Sequence, residues 1–246
     1  MYTADERNQL REALIALAQR DDRITGAALT GSAALDREDG WSDIDLAFGV
    51  SPSADFEQTM ADWTDVMYQS HGALHHLDVA SGASIYRVFL LDNTLQVDLA
   101  FSPAEQFGAR APTFRLLFGT AAELAHATGR SAAQLIGWGW LYALHARSSL
   151  ARGRLWQAEY MISGMRDQVL ALACLRHGLP TSEGRGVDDL PVDVAAPISE
   201  SLVGSLDVDD LSAALRVVVE ALIVETGHVD ETLADRLARA LRDLPG

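Results

Sequence analysis

The chain has 246 residues, 35 of them acidic and 19 basic, for a formal charge of −16, and its 48% apolar and 22% charged content is that of a globular protein, which argues against disorder. Every basic residue is Arg, and without Lys there is no P-loop, whose motif requires one. The charge opposes nucleic acid as partner, because that binding works through cationic surface releasing counterions; it suits a small cationic ligand, or simply a soluble surface.

No apolar run approaches the roughly 18 residues that span a bilayer. The best candidate, Leu135 to Leu144, stops at His145. The acidic start, Met1 to Arg7, has no apolar signal region, so the expectation is a cytoplasmic protein without a membrane partner. A single Cys174 excludes a disulfide framework and a Cys-rich zinc site.

In chain order, the spacing of Leu10, Leu14, Ile15 and Leu17 predicts a helix over Asp5–Gln19. Ile24–Leu29 is a short apolar run, a strand that ends in the turn Thr30-Gly31-Ser32. Asp43–Phe48 alternates polar and apolar residues, the period of a half-buried strand. A helix over Asp55–Ser70 follows, with Ser53 as its expected cap and Phe56, Met60, Trp63, Val66 and Met67 on one face. Strands are predicted over Ala73–Val79, Ser84–Leu91 and Thr94–Phe101, the last two joined at Asp92-Asn93. After Pro112 the pattern is helical throughout: Ala121–His126, Ser131–Leu150, Leu155–His177, Leu211–Glu225 and Asp230–Leu244, with no convincing strand. Gly178 and Pro180 stop the third of these, and Thr181–Asp210 reads as a loose acidic stretch. The expected architecture is α+β: a mixed sheet with helices over 1–110, then an all-α helical bundle over 111–246.

The informative segment is Gly31-Ser32, ten intervening residues, then Asp43-Ile44-Asp45. Residues i and i+2 of a strand share a face, so Asp43 and Asp45 present two carboxylates together. Like charges held so close repel unless a cation lies between them, and hard oxygen donors suit Mg²⁺ or Mn²⁺. Asp98 alternates against Leu95, Val97 and Leu99, leaves the apolar face of its strand, and can join the pair. Three such carboxylates can hold two cations about 3.5–4 Å apart, a clamp for in-line displacement at phosphorus. Gly31 permits close backbone approach, and the Ser32 hydroxyl with nearby N–H groups can cradle a phosphate at a turn opening a helix.

In these residues the chain resembles the nucleotidyltransferases of the DNA polymerase β superfamily: a strand, Gly31-Ser32, a spacer, Asp43-Ile44-Asp45 on a second strand and Asp98 on a later one. The likeness spans about residues 24–101. A nucleotidyltransferase domain followed by helices resembles, more narrowly, the antibiotic nucleotidyltransferases of the aminoglycoside type. What the resemblance implies is transfer of a nucleoside monophosphate, AMP from MgATP, to a hydroxyl of a small acceptor, a cationic aminoglycoside first, with release of pyrophosphate. Asp43, Asp45 and Asp98 would hold two Mg²⁺, and Gly31 and Ser32 the departing phosphates. The base would be Asp98 or a Glu of the helical half, with the substrate in a cleft between the halves. The alternative is a regulatory or antitoxin-type module that keeps this fold and binds a partner protein.

Within the helical half, Glu159, Ser163 and Arg166 share one helix face. Glu159 is a candidate base or ligand for a substrate amine and Arg166 a candidate for the triphosphate; a structural Glu–Arg contact is the competing reading. Arg185, in Gly184-Arg185-Gly186, is a further candidate for phosphate. Trp138, Trp140, Tyr142 and Trp156 fit core packing better than stacking on a base. His75 and His76 are adjacent on a strand, which argues against a metal site shared with His71.

Overall fold

The computed structural model describes residues 1–125 and 129–242. Two compact units divide the chain, Met1–Ala127 and Thr128–Gly246.

In the first unit, α1 (Ala4–Ala18) starts at a reciprocal cap: Thr3 Oγ1 accepts from the Glu6 N–H, and Glu6 Oε2 accepts from the Thr3 N–H. Strands β1 (Ile24–Thr30) and β2 (Ile44–Val50) pair antiparallel. Next comes α2 (Phe56–Ser70), capped by Asp55 rather than the expected Ser53, since Asp55 Oδ1 accepts from the Gln58 N–H at 3.0 Å. The hairpin of β3 (Ala73–Ser81) and β4 (Ser84–Leu91) leads into β5 (Gln96–Pro103), which runs parallel to β2. The sixth strand, β6 (Phe114–Gly119), lies past residue 110, where the sequence reading placed the division, and where it expected helices only. β6 pairs antiparallel with β1 at the edge of the sheet, and most of its residues stay exposed, which removes the apolar alternation that marks a half-buried strand. The sheet order is β3-β4-β5-β2-β1-β6.

The pairing fixes two faces. Ile44, Leu46, Phe48, Val97, Leu99 and Phe101 bury one face in a core with Leu14 of α1 and Met60, Trp63 and Met67 of α2. On the opposite face, by the period of two, stand Asp45 and Asp98, which are register partners.

Beyond it, residues 121–125 form no helix, contrary to expectation; His126 lies outside the described residues. The second unit is helical: α3 (Ala132–Ala151), α4 (Leu155–Arg176), α5 (Val192–Ser199), α6 (Val208–Gly227) and α7 (Glu231–Leu241). Its core joins Ala143, Ala146, Ile162, Met165, Val169, Leu211, Val218 and Leu222. Arg176 of α4 clamps the buried Glu225 of α6 through two hydrogen bonds of 3.0 and 2.8 Å. The stretch read as loose, 181–210, contains α5; Pro191 stands at its N-cap and Pro197 falls inside it. The last predicted helix ends at Leu241, and residues 243 and 244 lie outside the description. Among the described residues no helix is long and apolar enough to cross a membrane.

Candidate active site

Parallel pairing of β2 with β5 sets Asp45 opposite Asp98, and Asp43 precedes β2 on the same face. One carboxylate oxygen from each of Asp43, Asp45 and Asp98 lies within 4.8 Å of the other two, and all three residues are half-buried. Gln96, at the start of β5, bridges two of them: its Nε2 donates to Asp43 Oδ2 at 3.2 Å and to Asp98 Oδ1 at 3.1 Å. Burial raises the pKa of Asp98 to about 6; the Gln96 hydrogen bond lowers it and the Asp43 charge raises it again. Three closely set hard oxygen donors, one of them costly to ionise unaided, fit a divalent cation of the Mg²⁺ or Mn²⁺ class. This is the one His, Cys, Asp and Glu grouping with metal-ligand spacing among the described residues, so the three histidines form no comparable site.

Gly31 touches this site directly. Its φ is +60°, and a Cβ placed on it would stand 1.9 Å from Asp45 Oδ2, so the left-handed turn and the carboxylate occupy adjoining space that only glycine leaves open. Ser32 follows, and its carbonyl accepts from the Leu35 and Arg37 N–H groups at 3.1 and 3.0 Å. The expected helix after this turn is a single 3₁₀ turn, Ala33–Leu35, too short to lend a helix dipole to a phosphate. Arg115 of β6 holds that turn, donating to the Ala33 carbonyl at 2.9 Å and pairing with Asp36 at 2.7 Å.

The loop that delivers Asp43 is held from α1. Arg7, 4% exposed, donates to the carbonyls of Asp39 and Ser42 at 2.5 and 3.2 Å, and Tyr2 Oη donates to the Ser42 carbonyl at 3.0 Å. Arg11 pairs with Glu38 at 2.5 Å. Gln96, Arg7 and Arg115 escape sequence reasoning. Only Gln96 leaves a local trace, because it shares the parity of Asp98 along β5.

In the second unit the predicted face of α4 forms as a chain of hydrogen bonds. Ser163 Oγ donates to Glu159 Oε1 at 2.5 Å, Arg166 Nη2 donates to Ser163 Oγ at 2.7 Å, and Arg166 Nη1 donates to the Ser201 carbonyl at 2.8 Å. Arg185 is exposed and pairs with Glu183 at 2.7 Å. The tryptophans are not core: Trp138, Trp140 and Trp156 are 47%, 38% and 77% exposed, because their helices turn those positions to solvent. Cys174 is buried, as its apolar helix predicts.

No protein-family model and no curated protein matches the chain. Among solved structures it is similar to an aminoglycoside 6-adenyltransferase from Bacillus subtilis, at 13% identity and a TM-score of 0.41, over 93% of this chain and 91% of that one.

Proposed function

We propose that the protein is a metal-dependent nucleotidyltransferase that moves AMP from MgATP onto a hydroxyl of a small molecule and releases pyrophosphate. The observation that supports this reading is the meeting of Asp43, Asp45 and Asp98 within 4.8 Å, with the Gly31 turn set against Asp45. Mg²⁺, when bound, supplies Lewis-acid neutralisation of the triphosphate charge. The chain's own part is to hold and orient. The three carboxylates provide the oxygen donors, and the Gly31 backbone and Ser32 hydroxyl bind the phosphates that depart.

In the transfer, the acceptor oxygen forms a bond to the α-phosphorus while the bond from that phosphorus to the α–β bridging oxygen breaks. The electron pair leaves with pyrophosphate, and the acceptor's proton passes to a carboxylate. Asp98 is the first candidate, since its carboxyl meets Asp43 and Asp45 at the centre of the site. Glu159 is the second, with Arg166 and Arg185 as the candidate side-chain cations for the triphosphate. The charge of −16 suits a polycationic acceptor such as an aminoglycoside. A neutral hydroxyl compound is the second reading, favoured by the apolar side chains Leu77, Val88 and Leu90 that lie beyond Asp98 on β3 and β4. A module that only binds a partner protein predicts no acceptor-dependent chemistry.

The test is incubation with Mg²⁺, ATP labelled at the α-phosphate, and a panel of aminoglycosides, other hydroxylated antibiotics and proteins. Acceptor-dependent release of pyrophosphate is expected. Asp43→Asn should lower it by roughly 100-fold or more, the scale of losing a group that acts on transition-state charge. Gly31→Ala should also suppress it, because the new methyl displaces the Asp45 carboxylate, at a folding cost of about 1–2 kcal/mol for the left-handed backbone. Undiminished transfer by Asp43→Asn would remove the metal-site assignment.

A further inference from the structure

The register divides the triad's face of the sheet into two wings. Toward β1 and β6, Ala28, Ala47 and Ala100 are buried with Phe107, against which Phe114 and Ala121 pack. Toward β3 and β4 the same face is open: Leu77 is 62% exposed, Leu90 49%, Val79 48% and Tyr86 37%. Leu77, Val88, Asp98 and Asp45 stand in one cross-strand row, and His75, Leu90 and Gln96 in the next. A depression of about 160 Å³ lined by His75, Leu77, Val88, Leu90 and Gln96 therefore borders the amide that bridges Asp43 and Asp98. An apolar cavity of roughly 150 Å³ holds a benzene ring, so one ring or a short chain matches this space.

Position and polarity both bear on what enters it. In-line displacement requires the attacking oxygen to approach the α-phosphorus from the side opposite the leaving group. With the departing phosphates at Gly31-Ser32, at the end of β1 and against Asp45, the side of the β2–β5 carboxylates away from β1 is β4 and β3. The charged residues of this hairpin, Asp78 and Arg87, alternate onto the other face, where they pair with each other at 2.6 and 2.7 Å. No carboxylate lines the depression. Four exposed side chains also fall short of the roughly 800 Å² per partner of a stable protein interface.

We infer that this wing is the acceptor subsite, an assignment that rests on the nucleotidyl-transfer reading. The acceptor is a hydroxyl compound carrying an apolar ring or short chain beside the reacting hydroxyl. Its hydroxyl oxygen bonds to the α-phosphorus as the bridging oxygen leaves with pyrophosphate, and its proton passes to a carboxylate.

The experiment uses the full chain, ¹³C-labelled at Leu and Val methyls, with Mg²⁺ and a non-hydrolysable ATP analogue. Three probes are titrated: phenyl β-D-glucoside, methyl β-D-glucoside and kanamycin. The phenyl glucoside is expected to shift the methyl signals of Leu77, Val88 and Leu90, with a Kd roughly tenfold or more below that of the methyl glucoside. Leu90→Asp should abolish that preference and leave the Kd of the ATP analogue within about twofold; Leu77→Asp serves if the first variant melts early. Silent methyls, equal affinity for the two glucosides, or tighter binding of kanamycin that ignores Leu90→Asp each overturn the assignment while MgATP binding stands. Concentration-dependent dimerisation abolished by Leu90→Asp overturns it too, giving the wing to a second copy. Failure of the unmodified protein to bind the MgATP analogue is a different result: it removes AMP transfer from ATP, the reading on which the acceptor assignment rests.

Discussion

Burial raises the pKa of Asp98 to about 6, the Gln96 amide works against that, and the charge of Asp43 adds to it. In the unfolded chain the same carboxyl returns to its ordinary value near 3.8. Between those two values the folded protein keeps a proton that the unfolded chain has released, so ionising Asp98 costs the native state. Its contribution to stability is therefore intact below about pH 4, falls as pH rises, and is fully lost above about pH 6. Solvent still reaches the carboxylate, so the loss is on the order of 1–2 kcal/mol. Urea unfolding in EDTA, with Asp98→Asn as reference, should show the difference between the two proteins drifting against the wild type across that window. Mg²⁺ should abolish the drift, because a bound cation stabilises the ionised form; a drift unchanged by Mg²⁺ would count against the carboxylate as a ligand. Asp98 is legible in sequence as the polar member of an alternating strand. Its place beside Asp45 is not, since that depends on β5 running parallel to β2, and parallel pairing leaves no local pattern.

At the scale of elements, α1 does more than cover the sheet. Arg7 reaches from it to the carbonyls of Asp39 and Ser42, and Asp43 is the next residue along the chain. Replacing Arg7 by Met leaves the Asp39 carbonyl without its side-chain donor, while Tyr2 still serves the Ser42 carbonyl, at a cost of about 1 kcal/mol. It also frees the segment that orients Asp43. Calorimetry should show weaker Mg²⁺ binding together with a lower urea midpoint, and Arg7→Lys should restore part of each, since an ammonium can donate to the same two carbonyls that one guanidinium nitrogen serves. A variant that loses stability but binds Mg²⁺ normally would show that Arg7 only packs the helix. In the sequence Arg7 is one charge on an amphipathic helix, indistinguishable from a solvated one. Elements themselves were legible where one face is buried, as in α2, β4 and α4. β6 was missed because an exposed edge strand lacks that alternation, and α5 because the prolines at 191 and 197 read as breakers, although Pro191 stands at the N-cap, where no backbone N–H is needed.

For the whole molecule, a formal charge of −16 confounds any measurement of Mg²⁺ binding, because screening alone relieves self-repulsion and stabilises the folded chain. The two effects separate by ion type. Screening depends on ionic strength and is spread over the surface of both units, whereas chelation by Asp43, Asp45 and Asp98 depends on the divalent ion and on three residues. A site saturated to about 100 times its Kd adds about 2.7 kcal/mol. In a chain of this size that corresponds to a rise in Tm of roughly 5–10 °C. MgCl₂ at a few millimolar should therefore raise the Tm beyond NaCl of equal ionic strength. Asp43→Asn should keep the NaCl response and lose the excess. If MgCl₂ and NaCl act alike on the wild type, the triad holds no structural share of the metal, and its carboxylates would be left as an uncompensated cluster whose repulsion salt merely screens. If the excess persists in Asp43→Asn, the ion is bound elsewhere on the acidic surface, and the geometry that joins Gly31 to Asp45 would have to serve another ligand.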